Sequence, residues 1–297
     1  NDMSTSSQHH QHSNNNNKKK KIVEQITSSS YSYAYVTFVN NEEYAKGVLA
    51  LKQSLDDSES TYPVVVLVTD SISNSTIQAF IKLGCQVQLV TAIDPGNGIR
   101  TQIDRWMPAF TKFRAWTMTN YHRIIWLGMN IDHLFTMLDK YDVKDKDKDV
   151  IYACVDADAN SCQYQPDRLR LINSGLVVLA PNNDINMRLV SDIRSVSKLQ
   201  NGVLNDQDVM NYTLRWQPLQ YPEYGVQVTH CQCGDARLWN YQLSHFLHFT
   251  AGMKELPKPW QYAEGHPIPI DTPSCVESLY LTWMDYYNKA LERVVTG

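Results

Sequence analysis

The chain has 297 residues, 43% of them hydrophobic and 20% charged, with a formal net charge of −4. That is enough material for one large domain or two small ones with a sizeable core. The charge, with a pI near 6.1, leaves no basic footprint for nucleic acid or anionic membrane.

The longest apolar runs, such as Tyr62 to Val68, are strand-sized and well short of the ~20 residues of a membrane span. The first residue is Asn1, so an upstream signal or anchor stays open. The six cysteines are Cys85, Cys154, Cys162, Cys231, Cys233 and Cys275. They form no dense framework, and Cys85 and Cys154 sit in apolar runs. The expectation is a reducing compartment and a cytoplasmic protein.

Residues 1–30 are low complexity: a Gln/His cluster, Asn14 to Asn17, then Lys18 to Lys21. Such a segment cannot bury enough apolar surface to offset its ordering entropy, so it reads as a disordered tail. Residues 31–297 read as a single domain with an irregular C-terminal subdomain from about 217 to 297.

Tyr33 to Val39 is a β-rich run, followed by Asn40-Asn41 and a helical pattern from Glu43 to Leu55. Tyr62 to Thr69 is a second strand, and Asp70-Ser71 is a candidate cap for the next helix. That helix, Ser75 to Lys82, stops at Gly84, and Cys85 to Val90 is a third strand. Strands and helices alternating at this spacing predict right-handed βαβ units and a mostly parallel sheet. A helix over Ala109–Tyr121, strands at Arg123–Leu127, Val150–Val155 and Gly175–Ala180, and a solvated charged loop at Asp142–Asp149 complete the pattern. Beyond Trp216 it turns irregular and rich in Tyr, Trp and Pro.

In an open α/β sheet, ligands bind beyond the carboxyl ends of the strands. Asn40-Asn41, Asp70, and Asp156 with Asp158 end predicted strands and become candidates on geometry alone. His230-Cys231-Gln-Cys233 groups soft ligands, but without the second pair a structural zinc site usually has. It reads as an ordinary loop.

Four clusters then speak together. They are Phe38 with Asn41 and Tyr44, the run Phe110-Thr-Lys112-Phe-Arg-Ala-Trp116, the pair Asn173-Ser174-Gly175 and Asp206-Gln207-Asp208, and His248-Phe-Thr-Ala-Gly252-Met-Lys254 closing on Lys258-Pro-Trp260. With Asn130-Ile-Asp-His-Leu-Phe135, these resemble glycosyltransferase family 8, the family of glycogenin and galactinol synthase. The segment around Asn130, together with Trp283-Met-Asp-Tyr-Tyr287, leans toward the galactinol synthase side.

The resemblance implies a Rossmann-like nucleotide-diphospho-sugar transferase fold of GT-A type, with a mostly parallel sheet flanked by helices. It implies a retaining hexosyltransferase that moves a sugar from a UDP-sugar to the hydroxyl of a small-molecule, protein or glycan acceptor. Phe38, Asn41 and Tyr44 would meet the uridine. Lys112, Gly252 and Lys254 (or Lys258) would meet the diphosphate. Asn173, Asp206 and Gln207 would hold the sugar at the reacting centre. The family also holds Mn²⁺ (or Mg²⁺) on an Asp-x-Asp pair and a later histidine, here His248.

The Asp-x-Asp is missing: Leu127 runs through Gly128-Met129 straight into Asn130. Asp156-Ala-Asp158 offers three readings: Asp156 as a sugar contact with Asp158 incidental, both as replacement metal ligands, or a plain loop start. The missing pair also opens an alternative function, a non-catalytic nucleotide-sugar-binding or interaction protein.

Overall fold

The computed structural model describes residues 32–102, 104–126, 131–135, 150–249, 256–269 and 272–297. The low-complexity tail, the Gly128-Met129 junction, the charged loop, Gly252 and Lys254 lie outside the described residues.

In chain order the main elements are β1 (Tyr33–Val39), α1 (Glu42–Asp57), β2 (Val64–Val68), α2 (Asn74–Lys82) and β3 (Gln86–Leu89). A 3₁₀ segment (Asp104–Thr117), β4 (Arg123–Trp126), β5 (Val150–Val155), β6 (Ile172–Leu179), α3 (Asn183–Leu199), α4 (Asp206–Thr213) and β7 (Arg215–Pro218) follow. The chain closes with β8 (Val226–Gln227), β9 (Leu247–His248), α5 (Pro259–Ala263) and α6 (Ser274–Thr296).

Seven strands form one sheet in the order β3-β2-β1-β4-β6-β5-β7. The β1/β2, β2/β3, β1/β4 and β5/β7 pairs are parallel, whereas β6 runs antiparallel to both β4 and β5. Because side chains alternate across a strand, the sheet feeds two cores. Tyr35, Val66, Ile125 and Val178 enter one with α1 and α2, while Val36, Leu67, Trp126 and Val177 enter the other with the 3₁₀ segment, α3 and α4. The apolar character of β2, buried at all five positions, follows from lying between these two layers.

Several local expectations are corrected. The helix expected over Ala109–Tyr121 is instead 3₁₀, starts at Asp104 and ends at Thr117, with Pro108 inside it. A proline lacks the N–H that a regular helix needs and crowds the preceding turn. The cap of α2 is Ser73, whose side chain accepts from the Thr76 N–H, rather than Asp70-Ser71. Strand β6 begins at Ile172, so Asn173 and Ser174 lie within it and not ahead of it.

The cysteine reading is also corrected. Cys162 pairs with Cys233, and Cys231 with Cys275; Cys85 and Cys154 are free and buried. Disulfides persist in oxidising compartments, so the cysteines give no support to a cytoplasmic location. The His230–Cys233 segment is a doubly stapled 3₁₀ turn, with Cys231 and Cys233 both taken up in disulfides. No helix among the described residues is long and apolar enough to cross a membrane.

The C-terminal segment returns to the first face of the sheet. Leu219, Tyr224, Phe246 and Ala290 share a core with Tyr35 and Val64. Helix α6 packs along α1. There Arg293 donates to Gln53 and Asp56 at 2.7 Å each, and Lys289 reaches Asp57 at 3.2 Å.

Candidate active site

The reversal of β6 is what builds the site. Parallel strands β1 and β4 deliver their carboxyl ends to one rim. An antiparallel strand between β4 and β5 delivers its beginning to that same rim. Trp126, the last residue of β4, pairs with Val177, and Val155, the last of β5, pairs with Ile172. Asn173, Ser174 and Gly175 therefore lie at the rim although they belong to a strand.

Helix α4 starts against them. Its capping box is complete: the Asp208 N–H donates to Asn205 Oδ1 at 3.1 Å, and the Asn205 N–H donates to Asp208 Oδ2 at 2.8 Å. This fixes Asp206 and Gln207 on the first turn. Gln207 Oε1 accepts from the Ser174 N–H at 3.0 Å, and Asn211, one turn on, accepts from the Ile172 N–H at 3.0 Å. The two amides stitch α4 to β6. Asn211 was not singled out by the sequence reading.

Lys112 joins from the 3₁₀ segment. Its neighbours anchor that segment: Thr111 Oγ1 accepts from the Ile93 N–H at 3.0 Å, and Asn186 donates to the Phe113 carbonyl at 2.6 Å. Lys112 Nζ then reaches Asp206 Oδ2 at 3.0 Å and Ser174 Oγ at 3.3 Å. Asp206 is only 5% exposed. A carboxylate that far from water needs this cation.

Asp156 and Asn173 form a third link. Asn173 Nδ2 donates to Asp156 Oδ1 at 3.1 Å, while Asn173 Oδ1 accepts from the Gly175 N–H at 2.9 Å. Asp158 behaves differently. Its carboxylate accepts from the Asn160 N–H at 3.0 Å, and its carbonyl pairs with His230 Nε2 at 2.9 Å, so it shapes the turn after β5.

The other wall of the rim comes from β9 and α5. His248 lies over Gly175, where an added Cβ would fall 2.6 Å from His248 Cε1 and 2.7 Å from Nδ1. Only a glycine admits the ring. His248 Nδ1 is shielded from water and has no hydrogen-bond partner among the described residues. Burial first, then the ammonium groups of Lys258 and Lys112, push its pKa down to about 3, so the ring is neutral near pH 7. Lys258, just ahead of α5, donates to the Phe249 carbonyl at 2.5 Å.

A cavity of about 380 Å³ opens between these walls. Phe38, Tyr44, Lys112, Ser174, His248 and Lys258 all line it. Asn41 does not: its side chain caps α1 by accepting from the Tyr44 N–H at 3.0 Å, and Asn40 takes the place on the cavity wall. Tyr44 packs against Trp260 with ring centroids 4.9 Å apart. The Asp132 carboxylate secures the segment after β4, accepting from Tyr35 Oη at 2.6 Å, Ser60 Oγ at 2.8 Å and the Thr61 N–H at 3.2 Å.

A divalent cation of the Mn²⁺ or Mg²⁺ kind needs several oxygen ligands, mostly carboxylates. The donor set does not fit one. Among the described residues the cavity wall carries two lysines and no Asp or Glu. No three His, Cys, Asp or Glu side chains converge there, so His248, Asp156 and Asp158 are not brought together as a ligand set.

No protein-family model matches the chain. Galactinol synthase 1 of Solanum lycopersicum is 26% identical over 291 residues, covering 88% of this chain and 84% of the relative. Galactinol synthase 3 of Arabidopsis thaliana is 25% identical, covering 86% and 81%. Among solved structures, the galactosyltransferase LgtC, in complex with donor and acceptor sugar analogues, superposes with a TM-score of 0.61 at 12% identity, covering 86% of this chain and 95% of its own. The glycosyltransferase GlyE of Streptococcus pneumoniae gives 0.53 at 15% identity, covering 87% and 63%. The fold is thus GT-A-like, a mixed, mostly parallel sheet flanked by helices, and the chain is a homologue of the galactinol synthases of glycosyltransferase family 8.

Proposed function

We propose that this chain transfers a hexosyl group from a UDP-sugar to an acceptor hydroxyl with retention of anomeric configuration. The observation that carries this reading is the Lys112–Asp206–Ser174–Gln207 network at the rim of a cavity that also holds His248 and Lys258.

Phe38, Asn40 and Tyr44 suit the uridine end, where an apolar floor, an amide and an aromatic ring meet. Asp206 and Gln207 sit on the first turn of α4 and suit sugar hydroxyls. Asn173, fixed between Asp156 and Gly175, orients the carboxylate of Asp156 toward the same ring. The C1–O bond of the donor breaks with its electron pair leaving on the β-phosphate oxygen. The acceptor oxygen then bonds to C1 from the same face, and its proton passes to the departing phosphate. Lys258 is the phosphate cation on which this reading settles, since it lines the cavity and lies near enough to depress His248. Gly252 and Lys254 flank that wall in sequence and are further candidates for the diphosphate.

The two disulfides favour an oxidising compartment as the place of work.

The test is a panel of UDP-hexoses against polyol and oligosaccharide acceptors, with the anomeric configuration of the product read by NMR. An α-donor should give an α-linked product. An inverted product, or no turnover of any donor, would remove the assignment.

A further inference from the structure

We infer that this chain handles the diphosphate of its donor without a divalent cation, Lys258 and Lys112 together supplying the positive charge that offsets the departing group. The inference rests on the UDP-sugar reading above and deepens it.

Three independent observations point this way. First, charge: among the described residues the cavity wall includes Lys112 and Lys258 and no carboxylate. Lys112 is balanced by Asp206 behind it, so the attraction for a diphosphate over a metal ion falls mainly on Lys258. The nearest acids are already engaged, Asp206 by Lys112, Asp156 by Asn173 and Asp158 by Asn160.

Second, sequence: the residues that join β4 to Ile131 are Leu127, Gly128, Met129 and Asn130, none of them acidic. Strand β4 itself ends on Trp126, which lines the cavity and carries no oxygen ligand.

Third, placement: His248 is seated over Gly175, with its Nδ1 shielded from water and without a partner among the described residues. Lys258 and Lys112 line the same cavity. An imidazole there can hydrogen-bond a phosphate, whereas on its own it makes a weak anchor for a hard divalent ion.

During transfer one C–O bond breaks and negative charge grows on the β-phosphate. Fixed cations facing that oxygen in a partly dehydrated cavity stabilise the charge as it develops. Lysine acts here as a point charge needing no bidentate geometry.

The experiment is a calorimetric titration of the full chain with UDP and with UMP, in EDTA and in MnCl₂. UDP should bind with the same affinity, to within about threefold, in both buffers. Lys258→Met should weaken UDP by about 10- to 100-fold and leave UMP unchanged, and Lys258→Arg should restore most of the loss. Circular dichroism on each variant separates misfolding from lost affinity.

A tenfold or greater gain from Mn²⁺, with bound Mn²⁺ seen as line broadening in electron paramagnetic resonance, would overturn this inference and leave the glycosyltransferase reading standing. Equal losses of UDP and UMP in Lys258→Met would also overturn it. Absence of UDP binding in either buffer would overturn both readings.

Discussion

The two walls of the cavity are built on opposite plans. On the β6–α4 wall the polar side chains are already engaged: Asp206 by Lys112, Gln207 by the Ser174 N–H, and Asn173 by both Asp156 and Gly175. On the β9–α5 wall His248 keeps a shielded nitrogen with no partner. The first wall is preorganised, and a sugar hydroxyl can trade into an existing network. The second presents the Lys258 ammonium and a His248 nitrogen with no partner among the described residues, and an anion suits both. On the proposed function, the difference would separate recognition of the sugar from stabilisation of the leaving group.

The largest effect should come from breaking the first wall. Lys112→Met leaves the Asp206 carboxylate, 5% exposed, without its cation. Removing one partner of a fully buried pair costs about 3–5 kcal/mol. Here the lysine side chain is 24% exposed, so about 1–3 kcal/mol is expected once solvent screening is allowed for. The catalytic loss should be larger, about 10²–10³ in kcat, as for removal of one group aimed at developing charge. A kcat unchanged within twofold would mean that Lys112 only holds up α4.

The next test addresses what holds the cavity's outer side. Cys275→Ser opens the staple between α6 and the 3₁₀ turn at Val228–Gln232, which spans 44 residues of chain. A loss of about 2–4 kcal/mol is expected, read as a lower melting temperature. Mass spectrometry after alkylation without reductant should label only Cys85 and Cys154, and only after unfolding, since both are buried. Labelling of Cys231 in the native protein would remove the staple.

Gly175→Ala joins the two walls, because the new Cβ would sit 2.6 Å from His248 Cε1. Either the ring or β6 must move. Overpacking of this kind costs about 1–3 kcal/mol, and UDP affinity should fall with it. A variant that binds and melts like the parent would show that His248 is free to swing.

The last test is a pH dependence. His248 has a folded pKa near 3 against an ordinary value of 6.5. Above 6.5 the ring is neutral in both states and contributes nothing. As pH falls from 6.5 toward 3 the unfolded chain takes up a proton that the folded one refuses, so stability declines. His248→Gln should flatten this part of a melting-temperature profile between pH 7.5 and 4. An unchanged slope would assign the decline to other groups, such as His133, whose pKa burial and the nearby His245 also lower.

These walls were unequally legible in the sequence. Strands β1, β2, β4 and β5 announce themselves as largely apolar runs, because they are mostly buried on both faces. Asn173, Asp206, Gln207 and His248 were found through motif resemblance, and the structure brings them to one rim. The direction of β6 left no local trace, since an antiparallel strand in a two-sided core has the same composition as a parallel one. Strand β7 was missed because it lies at the sheet edge and is mostly exposed. Asn41 was read as a ligand contact when its oxygen serves the helix, and in a strand-to-helix turn the two roles share one residue type. The disulfides were illegible because each joins cysteines far apart in sequence, by 71 and 44 residues.

The packing of α6 on α1 sets a schedule for biosynthesis. Lys289 and Asp57 touch although they lie 232 positions apart in sequence. The cavity draws wall residues from both helices, Gly47 and Leu51 from one and Thr282 and Trp283 from the other. A nascent chain can assemble β1 to β3 with α1 and α2 early, but that half must wait, one apolar flank bare, until α6 leaves the ribosome. The ligand pocket exists only once α6 has joined, and the early half is where a folding chaperone has most to cover.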